Sequence, residues 1–231
     1  MGLNSSPRGH GGTVVVLALL GAIGTLIIGL TLVPWPGDVA LTRGVQAILP
    51  AGPHWALWVS SWATAPREFV LVAIAVLLGA LFGGWRVGLL AIPSFIGMWL
   101  MDRLLRLFIL QPRPTAALVH VHGVPPPGSA FPSTFALIYG ATFGFLLMLA
   151  LLRLRGAPRV LLLVVGGLPL LIGAAARLVL GAHWPSDLLV SYLIALAWAG
   201  ALLCSPRRCC RRQPEAPQAH TAPPTRADET A

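Results

Sequence analysis

Six apolar runs divide this chain, at about 13–33, 69–85, 87–108, 132–152, 160–176 and 184–204. An α-helix rises 1.5 Å per residue, so crossing a bilayer's hydrocarbon core takes roughly 20 residues. In lipid every backbone N–H and C=O must find its partner inside the protein, which only helices and closed barrels achieve. The runs therefore predict an all-α, polytopic membrane protein, a six-transmembrane-helix bundle. The second and fifth runs are short and need neighbours or long polar side chains at their ends. The composition agrees: 56% of residues are hydrophobic, 10% are charged, and the mean hydropathy is +0.80. An ordinary soluble domain is excluded. The first run is too long for a signal-peptide core and lacks a small-residue cleavage site, so it reads as a retained helix.

The net charge of +9 comes from sixteen arginines and no lysine. They sit at the ends of apolar runs, which favours membrane topology and anion binding over nucleic acid. Arg8, Arg86, the group Arg153, Arg155 and Arg159, and the group Arg207, Arg208, Arg211 and Arg212 fall on one side of six crossings. The positive-inside rule makes that side cytoplasmic, with both termini inside a plasma (inner) membrane. The organisation expected is a cytoplasmic segment at 1–12, a membrane domain at 13–204, and a basic, then disordered, cytoplasmic tail at 205–231. Within the membrane domain, residues 38–66 are too broken by Pro and Trp to span. They are expected as interfacial helices on the outer face. Cys204, Cys209 and Cys210 cluster after the last run with no second Cys/His cluster facing them, so a zinc site is not expected.

The outer side still carries Arg43, Arg67, Arg103, Arg106, Arg113 and Arg177, more than a passive face needs. Three polar clusters account for much of this excess. In "RLFILQPRP", Arg106 is followed by six residues, then Arg113 and Pro114. In "GSAFPSTFAL", Ser133 and Thr134 open the fourth helix. In "ARLVLGAHWPSD", Arg177 is followed by five residues, His183, three residues and Asp187. Arginine supplies a planar, permanently charged fork that matches phosphate oxygens. A helix N-terminus at Ser133 and Thr134 offers free N–H groups to an anion. A carboxylate on one nitrogen of an imidazole leaves the other free to attack. Taken singly, each arginine also fits a snorkelling side chain, Ser133 an N-cap, and His183–Asp187 a structural hydrogen bond. The coincidence of all three clusters on one membrane face favours a phosphate cradle with an oriented nucleophile.

These spacings resemble the type 2 phosphatidic acid phosphatase superfamily, which includes membrane lipid phosphatases, undecaprenyl diphosphatases and vanadium haloperoxidases. Its pattern reads Lys, six residues, Arg-Pro; then Pro-Ser-Gly-His; then Ser-Arg, five residues, His, three residues, Asp. The resemblance covers about residues 60–204. It implies that Arg106, Arg113 and Arg177 bind phosphate, with Ser133, Thr134 and their backbone N–H groups completing the cradle. It implies further that His183 attacks phosphorus to give a phosphohistidine while Asp187 orients it, with no metal or other cofactor. The partners implied are a lipid phosphate or diphosphate and the bilayer, with no nucleic acid; a homodimer stays open.

Three positions depart from the pattern. Arg106 replaces Lys and keeps the charge, and Ala176 replaces Ser. Phe135 stands where the second histidine is expected to protonate the leaving group. A general acid contributes about 10²–10⁴-fold, or roughly 3–5 kcal/mol of barrier. An alkoxide leaving from a monoester has a conjugate acid with a pKa of about 16, near that of water, and needs the proton. A lipid phosphate leaving from a diphosphate, with a second pKa of about 6, does not. The expected substrate is therefore a polyprenyl diphosphate, undecaprenyl in a cell envelope, cleaved on the extracytoplasmic face. A phosphatidic-acid-type monoester phosphatase and a catalytically degenerate phospholipid-binding relative are the alternatives. His120 and His122, between the first two clusters, are candidate substitute acids.

Overall fold

In a computed structural model, residues 8–31, 34–49, 53–123 and 127–204 are described. The expectations for the first seven residues and for the tail from 205 lie outside them. Among the described residues the regular structure is entirely helical: α1 (Arg8–Thr31), α2 (Asp38–Ile48), α3 (His54–Ser61), α4 (Arg67–Gly83), α5 (Trp85–Gly88), α6 (Ala91–Phe108), α7 (Thr134–Tyr139), α8 (Phe145–Arg153), α9 (Gly156–Val179) and α10 (Pro185–Cys204). One π-helical turn, Gly140–Gly144, joins α7 to α8.

Among the described residues, five stretches are long and apolar enough to cross a membrane: Gly12–Thr31, Trp85–Phe108, Thr134–Arg153, Gly156–Val179 and Pro185–Cys204. The second apolar run forms α4, 17 residues long, about 25 Å at the α-helical rise. It is shorter than each of the five stretches, which run from 20 to 24 residues. The fifth run, expected to be short, is instead a 24-residue helix. The helix extends beyond 160–176 at both ends, and each extension carries an arginine. Pro158 sits in the first turn, where a missing N–H is harmless, and Arg159 and Arg177 are absorbed at the two ends. The broken segment at 38–66 forms two short helices, α2 and α3, of 11 and 8 residues.

Small residues let the helices approach, as lipid offers no hydrophobic drive for them to associate. A Cβ on Gly166 of α9 would stand 2.7 Å from both the Phe143 carbonyl and the Leu147 amide. That is a backbone-to-backbone approach against the π turn. The extra residue of that turn disturbs the i→i−4 ladder, and Ser94 Oγ on α6 donates to the Ala141 carbonyl there at 2.9 Å. Between α4 and α5, Gly84 has φ +88° and closes the hairpin. Phe145, Leu146 and Leu149 of α8 fill the centre of the bundle, packed with Leu162 of α9 and Ala199 of α10.

The hairpin order brings four helix ends together. The C-terminus of α6 and the N-terminus of α7 flank the connection 109–133. The C-terminus of α9 and the N-terminus of α10 flank the loop 180–184. All three polar clusters lie at this end.

Candidate active site

His183 sits in the 180–184 loop, 3% exposed. Its Nδ1 lies 2.7 Å from the carbonyl oxygen of Ala130. A carbonyl only accepts, so Nδ1 carries the proton and Nε2 keeps its lone pair. Burial, followed by the charges of Arg177 and Arg113, holds the imidazole pKa well below its ordinary value; the Ala130 hydrogen bond opposes them. The ring is thus neutral, with its tautomer fixed.

The hydrogen bond expected from Asp187 to the imidazole is not formed. Asp187 Oδ2 instead accepts the Trp184 backbone N–H at 3.1 Å, capping the first turn of α10. Its Oδ1 is buried with no hydrogen-bond partner. The physical reason is local: a carboxylate three residues after an orphan amide at a helix start is in capping position. The Ala130 carbonyl, brought in across 53 residues, takes the imidazole instead.

Arg113 bridges the two loops. Its Nη1 donates to the Ala182 carbonyl at 3.0 Å and its Nη2 to the Ser129 carbonyl at 3.0 Å. Burial, then neighbouring Arg106, lowers its pKa, while Asp187 opposes them. The Trp184 indole N–H donates to the Pro112 carbonyl at 3.0 Å, fixing the same pair of loops. Arg177 differs from both other arginines. Its Nε is buried and makes no hydrogen bond. Its guanidinium lies 5.5 Å from the centre of the Phe135 ring, within cation–π range. A buried guanidinium N–H without an acceptor is costly, and it can be satisfied by an anion.

Arg106 is mostly engaged in tying the site together. Its Nε pairs with Asp102 at 3.1 Å and its Nη1 donates to the Ser129 carbonyl at 2.9 Å. Its Nη2 reaches the Pro132 carbonyl at 2.7 Å and Thr134 Oγ1 at 2.9 Å. Four of five N–H groups are thus used, leaving one for phosphate. Thr134 Oγ1 donates in turn to Asp102 at 2.8 Å. Ser133 is the N-cap of α7, its side chain accepting from the Ala136 N–H at 3.4 Å. Its own N–H is taken by Ser191 Oγ at 3.0 Å. Asp102 and Ser191 were missed in the sequence. Asp102, four residues before Arg106, could have been found as an i,i+4 ion pair.

Phe135 stacks on Tyr139, with ring centres 4.1 Å apart, and packs among Ala63, Leu71, Phe95 and Leu170. Gly173 makes the room: a Cβ there would meet two Phe135 ring carbons at 2.8 Å. Phe135 thus belongs to the core while offering a π face to Arg177. His120 and His122 lie on a strap that crosses the end of α9. The His122 N–H donates to the Leu180 carbonyl at 3.0 Å. His120 lines a separate cavity of about 340 Å³ with Arg43 and Gln46, whose walls include none of Arg113, Arg177 and His183.

A buried histidine beside arginines, one with an unanswered N–H, gives this helical domain the chemistry to hold a phosphate. The PAP2 superfamily family model matches residues 89–210, and the chain belongs to that superfamily, as a membrane lipid phosphatase. Among solved structures, it is similar to a transmembrane PAP2-type phosphatidylglycerolphosphate phosphatase from Bacillus subtilis. The identity is 17% and the TM-score 0.65, covering 87% of this chain and 98% of that one. At that identity the likeness speaks for the fold. A comparison with curated proteins gives no match.

Proposed function

We propose that the protein hydrolyses a polyprenyl diphosphate, undecaprenyl diphosphate in a cell envelope, at the extracytoplasmic face of the plasma (inner) membrane, with both termini inside. The observation that carries this is the neutral His183 whose Nδ1 is held by the Ala130 carbonyl, beside Arg113 and Arg177. In the proposed reaction Nε2 attacks the terminal phosphorus. The P–O bond to the lipid phosphate breaks, and the lipid phosphate departs with the bonding electrons. Water then attacks the phosphohistidine, releasing inorganic phosphate and returning the imidazole. Arg177 and Arg113 neutralise the equatorial oxygens, where charge gathers. Asp187 acts indirectly, holding the Trp184 amide next to His183. Phe135 supports the diphosphate assignment, since it cannot donate a proton and a lipid phosphate leaves without one.

A second reading is a monoester phosphatase, for which the structural neighbour, a phosphatidylglycerolphosphate phosphatase, is the precedent. A catalytically degenerate phospholipid binder is a third, favoured by Phe135. The deciding assay is phosphate release by detergent-purified protein from a polyprenyl diphosphate, with phosphatidic acid in parallel, in EDTA, and His183→Ala as control. Diphosphate turnover abolished in the variant supports the proposal. Faster turnover of phosphatidic acid selects the second reading, and lipid binding without turnover the third.

A further inference from the structure

Helix α2 reaches both banks of the 180–184 loop. Asp38, in its first turn, is 5% exposed. Asp38 Oδ1 accepts the Ser186 backbone N–H at 3.0 Å, and Oδ2 accepts the Ser186 hydroxyl at 2.6 Å and the Trp35 N–H at 2.8 Å. One turn on, fully buried Thr42 donates its hydroxyl to the Asp38 carbonyl at 2.8 Å. One turn further, Gln46 Nε2 donates to the Leu178 carbonyl at 2.9 Å and to the His120 carbonyl at 2.8 Å. Gln46 Oε1 accepts the His120 N–H at 3.1 Å. Asp38 therefore holds the first turn of α10, and Gln46 holds the last turn of α9 and the strap above it. Eight residues separate them, about 12 Å of helix.

We infer that α2 is a splint for the loop bearing His183, and that Asp38 and Gln46 are positioning residues acting on it through Ser186 and Leu178. The inference rests on the phosphatase reading for its kinetic consequence alone. The chemistry of each contact is specific. Three donors converge on the two Asp38 oxygens, so an amide there would set an NH₂ against a donor. Gln46 answers donor and acceptor groups together, which neither Glu nor Ala can do. Apart from α2, the loop is held from one side only, by the Ala130, Arg113 and Trp184 hydrogen bonds to the 109–133 connection. Its charged surroundings are Arg177 from α9, Arg113 from the 109–133 connection and Arg106 from α6, with Asp187 following on α10.

The test compares Gln46→Ala, Asp38→Asn and Ser186→Ala with wild type in detergent. Two readouts are used: steady-state kinetics on a polyprenyl diphosphate, and NMR titration of labelled histidine, assigned with His183→Gln. Gln46→Ala changes no charge, so any shift in its titration reports geometry. The expected result is a kcat lowered about tenfold or more, since small misplacements of reacting groups carry such effects, with KM within about threefold. The His183 titration should move up toward about 6.5, the ordinary histidine value. Ser186→Ala, which keeps the backbone bond, should show the smallest change. Folded Gln46→Ala with wild-type kcat and an unmoved titration overturns the inference, even if its thermal stability falls. If wild type turns over no diphosphate, the diphosphate reading fails separately and the titration alone decides: a shift supports the splint, and none sinks it.

Discussion

The imidazole Nδ1 of His183 lies 2.7 Å from the carbonyl oxygen of Ala130. This pairing across 53 residues fixes which imidazole nitrogen keeps its lone pair, and it yields a first expectation about pH. Burial, Arg177 and Arg113 lower the folded pKa of His183 below the unfolded value of about 6.5. The unfolded chain then binds the extra proton first as pH falls. His183 stability is thus fully present above about pH 6.5 and is lost as pH falls from there to the folded pKa. Thermal unfolding between pH 7 and 5 should show this slope in wild type and a flatter one in His183→Gln. The acidic limb of kcat/KM should lie well below the ordinary histidine range and move upward in Arg113→Ala.

Phe135 and Gly173 form a fitted pair, because a Cβ at position 173 would meet the ring at 2.8 Å. Gly173→Ala should cost about 1–3 kcal/mol, the usual range for overpacking. Adding Phe135→Leu should recover part of it, since the flat ring is what collides. Unfolding temperatures of the two single variants and the double variant would show the coupling.

Phe135→His places a proton donor beside Arg177. If the missing acid restricts the substrate, this variant should raise phosphatidic acid turnover about 10²-fold or more, the lower range for general acid catalysis. Diphosphate turnover should change far less. Equal effects on both substrates would remove the leaving-group argument.

Arg106→Lys restores the residue type of the family pattern yet should be harmful here. A lysine cannot reproduce the fork joining Asp102, Ser129, Pro132 and Thr134. A loss of about 1.5–3 kcal/mol is expected for hydrogen bonds to a charged group, seen as a lower unfolding temperature. By contrast, Arg177→Lys keeps the charge, and Arg177 makes no comparable set of bonds. It should leave stability nearly unchanged while lowering kcat/KM.

The sequence by itself determined the membrane-spanning helices and the grouping of the polar clusters. Lipid allows so few backbone arrangements that length and apolarity nearly fix the elements. Motif spacing along "RLFILQPRP" and "ARLVLGAHWPSD" then places arginines and His183 at shared helix ends. The tertiary structure alone decided what each group bonds to. Ala130 rather than Asp187 holds the imidazole, Arg106 ties loops together, and Phe135 turns into the core against Gly173. Asp38 and Gln46, far upstream, grip the loop from α2. Those partners lie 23 to 148 residues apart. Such pairings depend on how helices pack and which donors and acceptors are left over, and no local pattern in the sequence records that.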